Sequence, residues 1–212
     1  MQRLTILPNG LRVVTREMPS VETIAVAVHA DAGSRHETAR ENGLAHLFEH
    51  MVFKGAGGRS ARQLAEVVED VGGELNAMTG REGTVFSARL LAEDAPLGLS
   101  VIADMIRRPH LDEEELVREK QVVLQELGEV RDNASDLVFD DLQEVAFPDQ
   151  ALGRSILGDE ASVEGLTGGD LRSWADRHYR PATMLVVAAG KLDHDRIVKE
   201  AEACFGDMSG GT

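Results

Sequence analysis

A single cysteine, Cys204, is present in the 212 residues, so no intramolecular disulfide can staple this chain. Stability must come from an apolar core, and the chain is long enough to build one. The dearth of cysteine fits a reducing compartment. Cys204 sits between Ala203 and Phe205, a setting that points to a packed core thiol rather than a nucleophile. Basic residues are also short: 22 Lys and Arg face 37 Asp and Glu, for a net charge of −15. That balance argues against nucleic acid as a partner. It would favour cationic ligands such as basic peptides, although a solvated acidic surface is the plainer explanation. No apolar run approaches the roughly 18 residues needed to span a bilayer. Residues 1–9 lack the basic-then-apolar pattern of a signal peptide. The cytoplasm is therefore the expected compartment, with the mitochondrial matrix or the periplasm as alternatives.

What is present is a mixture of strand and helix patterns. Residues 4–7 and 11–17 are β-rich runs around Asn9-Gly10, a hairpin signal. Residues 23–30 alternate as a strand, with His29 on the face opposite Ile24, Val26 and Val28. Residues 31–41 read as loop, 42–53 as a helix, and 55–58 as a Gly-rich turn. Ser60 is a candidate N-cap for a helix reaching Val71, stopped by Gly72 and Gly73. Two strands follow, 74–79 and 83–91. Helices are expected at 94–107, at 111–131 behind Asp112, and at 134–146. A loop at 148–158, a short helix at 170–178, a strand at 183–189 and a helix at 194–205 complete the pattern. Without strict βαβ alternation this is an α+β chain, with a mainly antiparallel sheet and helices packed on it.

One segment carries chemistry. In His46-Leu47-Phe48-Glu49-His50, a helix sets the two histidines about 40° apart, so both imidazoles can address one ion. Glu49 lies about 60° to the other side of His46, within reach of a water at that ion. A catalytic zinc needs three protein ligands and an open position. The third ligand has to come from elsewhere, and the helix after Leu111 offers six glutamates. Glu119 and Glu126 are seven residues apart and share a face to within about 20°. Spacing does not rank one above the other.

The segment GLAHLFEHMVFKG (43–55) resembles the zinc motif of the pitrilysin, or M16, metallopeptidases. That family includes the β-subunit of the mitochondrial processing peptidase and insulin-degrading enzyme. The resemblance continues through GGELNAMTGREGTVFSARLL (72–91), LDEEELVREKQVVLQEL (111–127) and HYRPATMLVVAAG (178–190), so it covers nearly the whole chain. It implies zinc as cofactor, His46, His50 and Glu126 as its ligands, and Glu49 as the base that activates water. It implies a supporting role behind the ligands for Glu119, and substrate binding along the strand edge at Asn76 and Ala77. The fold implied is the LuxS/MPP-like metallohydrolase fold.

Several expectations follow from that resemblance. Residues 1–206 form the zinc-binding half, and 207–212 begin a linker or a cut end. A second half, fused or separate, completes a peptidase acting on peptides or unfolded polypeptides. The competing reading is a scaffold or partner subunit of the same fold that does no chemistry. The intact set of His46, Glu49, His50 and Glu126 counts against it.

Overall fold

The two runs flanking Asn9-Gly10 pair as a hairpin. Strands β1 (Gln2–Ile6) and β2 (Arg12–Glu17) are antiparallel, with Leu4 opposite Val14. Gly10 takes the turn at a φ of 92°, a region that favours glycine. The structure is a computed structural model and describes residues 1–210. The last two positions of the expected 207–212 linker lie outside the described residues.

Strand β3 (Thr23–Ala30) alternates as its sequence dictates, burying Ile24, Val26, Val28 and Ala30 while His29 is exposed. The Gly-rich segment after Phe53 is more than a turn. It forms a small hairpin of β4 (Gly55–Ala56) and β5 (Arg59–Ser60). Strands β6 (Glu74–Thr79), β7 (Thr84–Leu91) and β8 (Met184–Gly190) join the main sheet, whose order is β1-β2-β8-β3-β7-β6. Every neighbouring pair is antiparallel except β2 with β8. The expected α+β, mainly antiparallel architecture is what the chain adopts.

One face of the sheet is buried. Val28 stands opposite both Phe86 and Val186, and all three have no exposure. The α-helices among the described residues are α1 (Leu44–Val52), α2 (Ala61–Glu69), α3 (Ala95–Arg107), α4 (Glu113–Asp132), α5 (Ala134–Ala146), α6 (Glu160–Gly165), α7 (Gly168–His178) and α8 (His194–Phe205); α1, α2, α3 and α8 pack on the sheet, and α4 packs on α1. Ser60 caps α2 by accepting from the Gln63 N–H. This helix ends at Glu69, two residues before the expected Val71, where the Gly73 N–H turns back to the Val68 carbonyl. The α6 helix was not foreseen. Six residues are too few to display a helical period, and its start is set by Asp159, which accepts from Ser162. Cys204 is half-buried at the core margin rather than within it, and burial pushes its thiol up. Among the described residues, no helix is long and apolar enough to cross a membrane.

An aromatic ladder locks α1 to the sheet. The rings of Phe48 and Tyr179 are 5.0 Å apart, and those of Tyr179 and Phe86 are 6.0 Å apart. Trp174 on α7 is fully buried beside this ladder. Truncating Trp174 to alanine is expected to cost about 3–5 kcal/mol. In urea unfolding this would lower the midpoint with little change in slope.

Candidate metal centre

The helix that carries the motif is positioned by its own apolar residues. Leu44, Ala45, Leu47, Phe48, Met51 and Val52 of α1 are buried, which leaves His46, Glu49 and His50 half-buried on its remaining side. It ends at Phe53, whose N–H returns to the His50 carbonyl. Facing it is α4, which starts at Asp112. That side chain accepts from the Glu114 and Glu115 N–H groups, and three glutamates occupy the first turn, where the helix dipole favours negative charge. The buried residues of α4 are Leu116, Glu119, Val123 and Leu127. Glu119 is the one polar member of that stripe, and Glu126 lies on its flank toward α1.

This packing separates the two glutamates that spacing left equal. The Glu126 Oε2 atom is 3.7 Å from His46 Nε2 and 3.6 Å from His50 Nε2. One ligand atom from each residue falls within 4.8 Å of the others. A tetrahedral zinc with bonds of ~2.0–2.2 Å sets its ligand atoms ~3.3–3.6 Å apart, and the glutamate-to-histidine spacings of 3.6 and 3.7 Å lie at and just beyond the upper end of that range. Glu119 sits on the far side of His50 from Glu126. Its Oε2 is 3.1 Å from His50 Nδ1, and its Oε1 is 2.8 Å from Lys54 Nζ. A carboxylate in that position accepts a proton held on Nδ1 and leaves the Nε2 lone pair facing Glu126.

The electrostatics suit a cation. Burial, and then the nearby His50, hold the His46 imidazole down to about 4, so it is neutral and can donate a lone pair. His46 Nδ1 and Glu49 Oε2 are buried without a hydrogen-bond partner among the described residues. Burial lifts the Glu49 carboxyl above the ordinary glutamate range, against the opposing pull of Thr79 and His50. A buried carboxylate oxygen without a donor is costly unless a ligand or water completes it. The residues present therefore fit a zinc ion.

Asn76 and Ala77 lie on β6, at the open edge of the sheet. The Asn76 Oδ1 atom accepts from the Ala77 N–H at 2.8 Å, so the strand's own side chain occupies this edge donor. Lys54 escaped the sequence reading, although it follows His50 by one helical turn. Glu37, described below, escaped it as well.

Two imidazoles and two carboxyls give the zinc-free protein a pH dependence. His178 is held down to about 4 by burial first, then by His36 and Arg177, and its ring lies 4.0 Å from that of Trp174. With His46 it binds fewer protons in the folded chain than in the unfolded chain between about 4 and 6.5, so stability falls as pH drops through that window. Glu37, pushed up to about 7 by burial, works in the opposite direction between 4.5 and 7. Glu49, also lifted by burial, acts in the same direction as Glu37. The contribution of His178 is separable: between pH 6.5 and 4, urea midpoints of the zinc-free His178→Gln variant should lose less, or gain more, on acidification than those of the wild type.

Comparison with known proteins bears on this site. Residues 12–160 match the family model "Insulinase (Peptidase family M16)", and residues 165–211 match "Peptidase M16 inactive domain". The chain is 39% identical over 205 residues to an uncharacterized zinc protease of Rickettsia felis, covering 97% of this chain and 50% of that protein. It is 41% identical over 207 residues to a probable mitochondrial-processing peptidase subunit beta of Arabidopsis thaliana, covering 98% of this chain and 39% of that one. It therefore spans half or less of the length of these relatives. Among solved structures, a protease from Helicobacter pylori superposes with a TM-score of 0.93 at 22% identity, covering 99% of this chain and 51% of that one, which shows a shared fold. A matched family model over most of the length and relatives near 40% identity leave one conclusion: this chain belongs to the M16, or insulinase, family of peptidases.

Proposed function

We propose that this chain is the zinc-bearing half of an M16 endopeptidase. One observation carries that reading: His46, His50 and Glu126 converge at 3.6 and 3.7 Å beside a buried, unpartnered Glu49 oxygen on the same helix. Zinc held by His46, His50 and Glu126 would supply Lewis acidity toward a peptide carbonyl and would acidify a water beside Glu49. Glu49 then takes the water's proton and passes it to the leaving amine. A carboxyl whose affinity for protons is raised by burial suits that exchange better than an ordinary glutamate. Glu119 orients His50, and Lys54 holds Glu119 in place.

Substrate is proposed to add to β6 as an extended strand, since main-chain hydrogen bonds at a sheet edge hold peptides of varied sequence. Asn76 must then release the Ala77 N–H to the incoming chain. Residues 1–206 are proposed as one domain, with 207–212 leading toward a second half, fused or separate. In support, α5 buries none of its residues and leaves Val138, Phe139, Leu142 and Val145 exposed, an apolar face suited to a covering domain. The match to the inactive-domain model starts at residue 165, beyond all four motif residues, so it takes nothing from the catalytic reading.

The test is cleavage of an unstructured peptide by the full-length protein. A chelator should abolish cleavage and added zinc should restore it. Cleavage that continues at full rate in chelator would remove zinc from the mechanism, and absence of cleavage with zinc supplied would return the chain to the scaffold reading.

A further inference from the structure

The helix that carries the histidines begins without a cap of its own. Its N-cap residue is Gly43, at a φ of 91°, and no acidic residue lies in its first turn. Glycine is required there: a Cβ would come within 2.7 Å of the Leu157 carbonyl oxygen. A glycine cannot offer the side-chain oxygen that Ser, Thr, Asp or Asn would supply to the first N–H groups. Those groups are buried with Leu44 and Ala45, so water cannot serve them either.

The missing oxygen comes from outside the helix. Glu37, only 4% exposed, accepts at Oε1 from the Ala45 N–H at 2.8 Å. At Oε2 it accepts from the Gly43 N–H at 3.0 Å and from Asn42 Nδ2 at 3.1 Å. All three neighbours are donors, an arrangement that a carboxylate satisfies and a neutral amide does not. Burial outweighs the opposing pull of these donors and of Arg154 and leaves the group raised to about 7. Asn42 also donates to the Ser155 carbonyl at 2.9 Å, and the Arg154 guanidinium donates to the Glu37 carbonyl. The Asn42 side chain and the Glu37 backbone carbonyl thus tie the start of α1 to residues 154 and 155.

We propose that Glu37 is a positioning residue of the metal centre, holding the first turn of α1 so that His46 and His50 meet Glu126. It touches neither metal nor substrate. This rests on reading those three residues as ligands. A carboxylate at a helix N-terminus also supplies the negative charge that the helix dipole favours. His46 is the third residue of α1, one position past the Ala45 N–H that Glu37 holds. Rotation or fraying of that turn moves His46 before it moves anything else in the site.

The experiment compares the full-length wild type with Glu37→Gln and with Glu41→Gln. Glu41 lies on the same segment, but its carboxylate bonds Thr38 and Arg177 rather than α1. Zinc affinity is read by chelator competition, and ligand geometry by the visible absorption of cobalt-substituted protein. Glu37→Gln is expected to weaken zinc by ~10-fold or more, the range for partners that orient ligands, and to alter the cobalt bands. Glu41→Gln should leave both unchanged. Wild-type affinity and an unaltered cobalt spectrum in Glu37→Gln would overturn the proposal, as would equal losses in the two variants. Should Glu37→Gln not fold, amide exchange in the zinc-loaded wild type decides: protection of Gly43 and Ala45 at core levels supports the cap, and loop-like exchange refutes it. Failure of the wild type itself to bind zinc would instead sink the ligand reading.

Discussion

Replacing Glu49 with glutamine in the full-length protein is expected to leave zinc in place and to slow peptide hydrolysis by ~10²–10⁴-fold, the usual contribution of a positioned acid–base group. The two halves of that expectation have separate origins. Zinc retention follows because the proposed ligand atoms belong to His46, His50 and Glu126, which are untouched. The loss of rate follows because an amide of the same shape cannot take a proton from water. Glutamine is also a mild replacement structurally, since Glu49 Oε2 has no hydrogen-bond partner to lose among the described residues. Steady-state kinetics alongside metal analysis check both halves. Near-normal turnover with full zinc would remove Glu49 from the mechanism. Loss of zinc would place it among the ligands.

Removing the carboxylate from position 126 should act the other way round. Glu126→Ala leaves two imidazoles, whose ring centroids are 4.6 Å apart, with nothing opposite them. The zinc affinity should fall by more than ~100-fold, beyond the upper range for outer partners, because a direct ligand is lost. Cleavage should fall with it and recover in part at high zinc. Glu119 cannot substitute, being 2.8 Å from Lys54 and engaged with His50 Nδ1 on the far side of the ring. If Glu126→Ala kept zinc as tightly as the wild type, the third ligand would have to be sought elsewhere.

Much of the fold could be read directly from the chain. Hydrophobic alternation marked β3, the Asn9-Gly10 turn marked the first hairpin, and Asp112 marked the start of α4. These signals are local, so spacing suffices to show them. The parallel pairing of β2 with β8 is different in kind, because it joins opposite ends of the chain and no short-range pattern encodes it. The centre divides in the same manner. Two histidines one turn apart are visible in five residues. The choice between Glu119 and Glu126 depends on where α1 lies across α4, which is a property of packing. The family resemblance implies Glu126, whose carboxylate lies 3.7 Å from His46 and 3.6 Å from His50. Glu37 and Lys54 went unnoticed because their partners, a backbone N–H and a second carboxylate, become apparent only once the elements are assembled.

Zinc-edge X-ray absorption of the zinc-loaded, full-length protein tests the convergence of the three side chains most directly. The spectrum should show two imidazole ligands at ~2.0–2.1 Å, further oxygen scattering from a carboxylate and solvent, and no sulfur. A spectrum without imidazole scattering, or with a sulfur shell from Cys204, would contradict the site described above.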